Sequence, residues 1–102
     1  MIFIAACGES TDKSSVNYYT KGKSCFERSD YIGAISFYSK AVEANQSYIN
    51  AYFGRARAYA KMNNYEQSIA DYSKIIEIKP DSYEAYHNRG LVYKKKVTMI
   101  GL

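Results

Sequence analysis

A spacing of 34 residues recurs along this chain and limits the folds that it can adopt. Tyrosines recur at this interval, as Tyr18, Tyr52 and Tyr86. Small residues recur at the same interval, as Gly22, Ala56 and Gly90. A fixed period of this length is typical of a solenoid, in which each repeat is one supersecondary unit that buries its apolar face against neighbouring units. We therefore expect a row of similar units.

Each unit is predicted to be a pair of helices joined by a short turn. Residues 49–82 show this most clearly, because two apolar stripes with helical spacing run through them. The first stripe consists of Tyr52, Ala56 and Tyr59, and the second of Tyr65, Ile69, Tyr72 and Ile76. Asn63 and Asn64 lie between the stripes and tolerate left-handed backbone. Helices are predicted at 16–28, 31–44, 49–62, 65–78 and 83–96, with Asp30, the Asn64–Gln67 pair and the Asp81–Glu84 pair at their starts.

The unit at residues 49–82 resembles the tetratricopeptide repeat, whose pattern is aromatic-x2-Leu-Gly-x2-Tyr, followed by Ala-x3-Phe and Pro. The matching residues are Tyr52, Arg55, Ala56, Tyr59, Ser68, Tyr72 and Pro80. The resemblance covers residues 15–96, and it departs from the pattern at Lys21, Arg55 and Arg89, which replace Leu, and at Gln46, which replaces Pro. It implies an all-α, right-handed α-solenoid of antiparallel helix pairs, with five helices in about two and a half tetratricopeptide repeats. It also implies a concave groove that receives peptides.

The repeat divides the chain into three parts. Residues 1–14 form an apolar N-terminus and a polar tether, residues 15–96 form the repeat domain, and residues 97–102 form a tail outside the pattern. The domain comprises the units 15–48 and 49–82 and the incomplete unit 83–96. The incomplete unit is expected to leave Tyr86 and Tyr93 partly uncovered. Three explanations remain open: the chain is a piece of a longer array, the tail folds back over the fifth helix, or two chains associate through it.

The N-terminal residues Ile4, Ala5, Ala6 and Cys7 resemble a bacterial lipobox, in which the cysteine becomes the lipidated first residue of the mature protein. No Lys or Arg precedes them, and the apolar run is shorter than the usual core of about 7–15 residues. A start placed too far downstream would account for both departures. The resemblance implies lipid attachment at Cys7, a truncated lipoprotein signal and a location in the bacterial cell envelope. The alternative is a cytoplasmic protein whose N-terminus contains a cysteine by chance.

The composition and the scarcity of reactive groups argue against several classes of function. The net charge of +4 is small and not clustered, unlike that of proteins that bind nucleic acids. Cys7 and Cys25 have no metal-binding spacing, and Cys25 is expected to be a small core residue. His87 is the only histidine, and no phosphate loop or acid–base pair accompanies it. We therefore expect no enzyme activity, no cofactor and no nucleic-acid partner.

A second stripe beside the core stripe marks a candidate peptide-binding groove on the first helix of each unit. Its residues are Tyr19, Lys23, Phe53, Arg57, Lys61, His87, Leu91 and Lys95, with Lys94 beside them. Across the units they give a row of rings, Tyr19, Phe53 and His87, and a mostly cationic set. Rings and fixed positive charges suit an acidic or aromatic-containing peptide. The alternative is a set of solvated helix faces, but solubility does not account for the exposure expected of Tyr19 and Phe53.

These observations predict a protein–protein interaction scaffold that binds a partner peptide or protein in the groove, displayed as a membrane-anchored bacterial lipoprotein. The alternative is a soluble structural fragment or cap of a longer repeat protein, with no ligand of its own. One use of the family, the capture of a free C-terminal carboxylate by Lys, Asn and Arg side chains, is not expected. The residues at the matching positions are Tyr19, Lys23, Gly54, Glu84 and Asn88.

Overall fold

The structure, a computed structural model, describes the backbone of residues 2–101 and the side chains of residues 13–101. Five helices make up this part of the chain: α1 (Ile2–Glu27), α2 (Tyr31–Ala44), α3 (Ile49–Lys61), α4 (Tyr65–Ile78) and α5 (Tyr83–Met99). Each helix packs against the next one, and α1 also contacts α3. Residues 2–101 contain no strand. The prediction of an all-α solenoid of about two and a half repeats is confirmed.

The turns inside the two complete helix pairs have the same backbone conformation. Ser29 has a φ of 61°, and Asn63, 34 residues later, has a φ of 62°. This left-handed geometry lets the amide that follows bond back to the preceding helix. Asp30 N donates to Cys25 O at 2.8 Å, and Asn64 N donates to Tyr59 O at 2.9 Å. The second helix of each pair therefore leaves the first in the same direction, which is what makes the units stack.

Helix α2 begins with the predicted cap. The Asp30 carboxylate accepts a hydrogen bond from Gly33 N at 2.9 Å. A Cβ atom at Gly33 would collide with that carboxylate. The glycine in the first turn of α2, which weakens a helix by about 1 kcal/mol relative to alanine, is therefore explained by the position of the capping side chain.

Helices α4 and α5 begin at residues 65 and 83, as predicted, but the predicted capping interactions at these two starts are wrong. The side chain of Asn64 makes no capping bond to α4, so the pair with Gln67 does not form a capping box. Helix α5 begins at Tyr83, as predicted, but Asp81 is not its cap. Its cap is Ser82, whose hydroxyl accepts a hydrogen bond from Ala85 N at 3.3 Å. Serine serves this position because its short side chain reaches back to the unpaired amides of the first turn.

Two helices are longer than the sequence pattern predicts. Helix α1 begins at Ile2 and continues through the stretch predicted as a tether, which contains no proline to interrupt it. Helix α5 ends at Met99, three residues beyond the predicted end, and the Thr98 hydroxyl donates to Lys94 O at 3.0 Å within it. The side chain of Cys7 lies outside the described residues, so lipid attachment there stays a prediction.

The core is built around the ring of Tyr38, which is 1% exposed. Helices α1 and α3 approach this ring through glycines. A Cβ atom at Gly22 would lie 2.7 Å from Tyr38 Cδ1, and one at Gly54 would lie 2.5 Å from Tyr38 Cζ. Both distances are far inside van der Waals contact. Three helices therefore meet at one aromatic side chain, and they do so because two of them have no side chain at the meeting point.

A charged pair joins α3 to its neighbours beside this core. Arg55 Nη2 and Nε donate to the two Asp71 carboxylate oxygens, at 2.7 and 2.9 Å. Arg55 Nη1 donates to Ser39 Oγ on α2 at 3.1 Å. Asp71 is only 4% exposed, and burial raises the pKa of its carboxyl although Arg55 hydrogen-bonds to it. The arginine that replaces the leucine of the repeat pattern thus binds a buried acid.

The described residues show neither a metal site nor a membrane span. No group of three His, Cys, Asp or Glu side chains among residues 13–101 is placed to hold a metal ion. Within the same part of the chain, every helix is too short or too polar to cross a bilayer. Cys25 is 4% exposed, as predicted for a core residue, and Arg28 Nη2 donates to its Sγ at 3.7 Å.

Candidate functional site

A pocket of about 270 Å³ opens on one face of the solenoid, where α1, α3, α4 and α5 come together. We call it the groove pocket. Its lining residues are Phe26, Arg57, Ala60, Lys61, Tyr72, Asn88, Leu91, Val92 and Lys95. The pocket therefore combines side chains from all three units, and no single helix could form it.

The 34-residue repeat places the walls of the groove pocket. Arg57 and Leu91 occupy equivalent positions in α3 and α5, as do Lys61 and Lys95. The long side chains therefore come from the same repeat positions on the first helices of two successive units. Ala60 is the equivalent of Phe26, and its small size leaves room between α1 and α5. The difference between phenylalanine and alanine at one repeat position is what opens the cavity.

The floor of the groove pocket is apolar. Tyr72 is 2% exposed and Val92 is 4% exposed, so both present a fixed surface. Leu91 is 46% exposed and forms a rim that a ligand can cover. Covering a large apolar side chain is worth roughly 1.5–3 kcal/mol. The floor and rim together suit an apolar side chain of a bound segment.

The rim of the groove pocket is cationic. Arg57, Lys61 and Lys95 are exposed, and no carboxylate belongs to the lining residues. The Arg57 guanidinium lies 5.6 Å from the centroid of the Phe26 ring, which fixes its position over the cavity. A fixed guanidinium above an apolar floor binds a carboxylate through two parallel hydrogen bonds more readily than a mobile ammonium does.

Two phenols beneath Arg57 remain neutral at physiological pH. Burial, with a smaller contribution from Tyr19, raises the pKa of Tyr38 to about 12, and the charge of Arg57 only partly opposes this. Burial likewise raises the pKa of Tyr72, against the opposing effects of Arg57 and of a hydrogen bond with Asn88. The phenols therefore add no negative charge to the pocket. Its electrostatic character is that of its three cations.

Comparisons with known proteins identify the fold. A family model described as TPR repeat matches residues 56–97. The structure is similar to an Arabidopsis OM64 TPR domain, with a TM-score of 0.81 and 24% identity, over 86% of this chain and 73% of that chain. It is also similar to the first TPR domain of Spaghetti (RPAP3) bound to the HSP90 peptide SRMEEVD, with a TM-score of 0.53 and 19% identity, over 82% of this chain and 94% of that one. A sequence comparison with curated proteins gives no match.

The chain has the fold of a tetratricopeptide-repeat domain, and residues 56–97 match the family model of the repeat. The family model covers the second half of the 34-residue pattern, and the structural similarity extends over most of the chain. The landmarks of the tetratricopeptide pattern occupy the positions where the helices cross. The hydroxyl of Ser68 donates to Ala56 O at 2.8 Å, which shows how closely the small residues of α3 and α4 approach.

The groove residues predicted from the sequence fall into two groups. Four of them line the groove pocket together, namely Arg57, Lys61, Leu91 and Lys95. The other five do not: Tyr19, Lys23, Phe53, His87 and Lys94. Of these, His87 is exposed outside the pocket walls. Lys94 faces a second cavity between α4 and α5 with Tyr65, Thr98 and Met99.

Tyr19 and Phe53 were expected to be exposed in the groove, but both are half-buried. The Tyr19 ring lies 5.7 Å from that of Tyr38 and 5.2 Å from that of Tyr48, and Lys23 Nζ lies 5.6 Å from its centroid. The Phe53 ring meets Tyr72 edge-on, with centroids 5.9 Å apart. Both rings pack onto the tyrosine core because the second helix of each unit presents a ring at that height.

Five lining residues of the tetratricopeptide groove were not predicted from the sequence. They are Phe26, Ala60, Tyr72, Asn88 and Val92. Phe26 and Ala60 carry a signal that the sequence does contain, since they share a repeat position adjacent to the predicted stripe. Tyr72 was assigned to the core, where it is, but one side of its ring also faces the cavity. Asn88 and Val92 follow from the packing of α5 on α4.

Proposed function

We propose that this tetratricopeptide-repeat domain is a protein-interaction scaffold that holds an acidic peptide segment in the groove pocket and has no catalytic role. The observation that carries the proposal is the position of Arg57, Lys61 and Lys95 around an apolar floor. Such a site suits a segment in which carboxylates flank an apolar side chain. The alternative, a structural unit without a ligand, assigns no role to an open apolar cavity or to the three cations around it, for which residues 13–101 supply no paired carboxylate.

The segment is proposed to bind through its side chains and not through a terminal carboxylate. The Spaghetti domain was solved with SRMEEVD, an acidic peptide in which a valine lies between a glutamate and an aspartate. That composition fits the groove pocket here. The positions that would hold a free carboxylate do not suit one, because Gly54 is buried against Tyr38 and Glu84 adds a negative charge.

The peptide SRMEEVD serves as the probe, in a free-acid and an amidated form. We expect both forms to bind with similar affinity, measured by fluorescence anisotropy. The substitution Arg57→Glu is expected to weaken binding by about tenfold or more, because it removes a charge-assisted contact and adds repulsion. Lys40→Glu is the matched control. This substitution changes the charge by the same amount, but Lys40 lies over the rings of Tyr18 and Phe37, away from the pocket. It is expected to change the affinity less than twofold.

Three outcomes separate the alternatives. Loss of binding on amidation would indicate capture of the terminal carboxylate. Equal weakening by Arg57→Glu and Lys40→Glu would indicate nonspecific attraction to a basic protein. No binding of either form at millimolar concentration would favour the structural role without a ligand.

We also propose that the domain is attached to the bacterial cell envelope through a lipid at Cys7. The support is the lipobox-like sequence Ile4, Ala5, Ala6 and Cys7. The test uses the full-length precursor, in which Cys7→Ser is expected to move the protein from the membrane fraction to the soluble fraction. Unchanged partitioning would exclude the anchor and favour a cytoplasmic location.

A further inference from the structure

The repeat position shared by Phe26, Ala60 and Lys94 carries a side chain of a different size in each unit. Phe26 and Ala60 both line the groove pocket, and both are half-buried against the core. A ring in the first unit is thus replaced by a single methyl group in the second. This position decides how much space the groove pocket leaves for a ligand.

The ring of Phe26 is held in place without filling the cavity. It meets the Tyr31 ring edge-on, with centroids 5.2 Å apart, and the Arg57 guanidinium lies over it. These contacts oppose a rotation of the ring toward Ala60. The space of about 270 Å³ that Ala60 helps to line therefore stays open.

A second ring in the lining is held in a similar way. Tyr72 is 2% exposed, its ring meets that of Phe53 edge-on, and a hydrogen bond joins its hydroxyl to Asn88. The groove pocket thus presents two aromatic rings whose positions do not depend on a ligand. Aromatic pairs are stabilised beyond the apolar area that they bury. A ring of a bound segment therefore gains more here than an aliphatic side chain does.

The size and charge of the groove pocket define the rest of the ligand. Sites for whole small molecules have volumes of roughly 300–1,000 Å³, so a cavity of about 270 Å³ suits one large side chain of a longer segment. Arg57, Lys61 and Lys95 belong to the lining, and no carboxylate does. The residues that flank the inserted side chain are then acids, because each can form a charge-assisted hydrogen bond with one of these cations.

We propose that Ala60 is the specificity-determining residue of the groove pocket, and that the ligand is an acidic segment of a partner protein with a phenylalanine between its carboxylates. The proposal rests on the protein-interaction function proposed above and names the side chain that the groove pocket selects. The small Ala60 leaves the space that the phenylalanine ring fills, and Phe26 and Tyr72 supply its aromatic contacts. A valine in the same place leaves part of that space empty and makes no ring contact.

The test compares two peptides of equal charge, SRMEEVD and SRMEEFD, by fluorescence anisotropy. SRMEEFD has phenylalanine in place of the valine that lies between two acids. It is expected to bind the unmodified protein about tenfold more tightly than SRMEEVD does. The variant Ala60→Val adds two methyl groups to the lining and is expected to reduce this preference to less than about twofold.

Two further variants serve as controls. Ala70→Val makes the same substitution at an exposed position of α4 that does not line the groove pocket, and it is expected to keep the tenfold preference. Arg57→Glu is expected to weaken both peptides and to leave the preference within about twofold of its original value, because the two peptides carry the same acids. Far-UV circular dichroism establishes that the variants keep their helices.

Each remaining outcome counts against the proposal. Equal affinity of the two peptides for the unmodified protein would overturn it, whether or not Ala60→Val folds. A preference that a folded Ala60→Val leaves intact would overturn the role of Ala60. If Arg57→Glu still weakens both peptides in these cases, the function proposed above stands and only the selection of phenylalanine fails. No binding of either peptide at millimolar concentration would overturn both proposals.

Discussion

Arg55→Leu is expected to lower the free energy of unfolding by about 3 kcal/mol, although leucine is the residue of the repeat pattern at this position. The substitution leaves the Asp71 carboxylate buried without its partner, and breaking a buried ion pair from one side costs about 3–5 kcal/mol. Water reaching the partly exposed Arg55 side chain, which is 19% exposed, places the expected loss at the lower end. Urea-induced unfolding followed by circular dichroism measures it.

A double variant and a matched control identify the cause of that loss. Arg55→Leu with Asp71→Leu is expected to recover most of the stability, because the pair is replaced by apolar side chains. Arg89→Leu changes the same position one repeat later, where the bond to Ser73 and the contact with the Tyr86 ring are lost but no buried acid is left without its partner. It is expected to cost less than about 1 kcal/mol. Equal losses for Arg55→Leu and Arg89→Leu would contradict the role assigned to the buried acid.

Gly54→Ala is expected to destabilise the protein by about 2 kcal/mol, against the normal preference of helices for alanine. The added methyl group would lie 2.5 Å from Tyr38 Cζ. The ring cannot move away, because it is 1% exposed and α1 approaches its Cδ1, Cε1 and Cγ atoms at Gly22. Overpacking of a rigid core typically costs 1–3 kcal/mol, which exceeds the gain of about 1 kcal/mol in helix propensity.

Gly90→Ala is the matched control for this prediction. Gly90 also lies inside a first helix of its unit, but nothing within 4 Å would meet its Cβ atom among the described residues. Only the higher helix propensity of alanine then acts, and we expect the free energy of unfolding to rise by about 1 kcal/mol. The two glycines should therefore respond with opposite signs in the same thermal or urea unfolding assay. A gain in both variants would show that α1 and α3 separate easily from Tyr38.

The groove shows how far sequence reasoning extends. The stripe identified the face of α3 and α5 that lines the pocket, because side chains four residues apart share a helix face. Arg57 and Leu91 were found in this way. The same reasoning placed Tyr19 and Phe53 in the open groove, whereas both rings lie against core tyrosines. Helical spacing does not reveal which of two adjacent stripes a neighbouring helix covers.

The departures from the repeat pattern show the complementary limit. Lys21, Arg55 and Arg89 share one repeat position and looked equivalent in the sequence. In the structure, Lys21 Nζ lies 5.7 Å from the centroid of the Phe37 ring, and Arg55 binds a buried acid. The partner lies 16 residues away on another helix. The residue that contacts the cation differs between the units, Phe37 in one and Asp71 in the next. It lies on the second helix, so the pattern of the first helix, which carries the cation, does not constrain it.

The sequence alone determined the repeat length, the helix pairs, the left-handed turn at Asn63 and the small residues at the crossings. Each of these features depends on local backbone preference or on which residues share one face of a single helix. Both kinds of information are visible in the 34-residue repeat of the sequence. Only the tertiary structure decided that Gly54 meets Tyr38, that Arg55 meets Asp71, and that Ala60 opens a pocket beside Phe26. Those contacts join different helices, so they depend on the rotation and distance at which the helices pack, which no single stripe specifies.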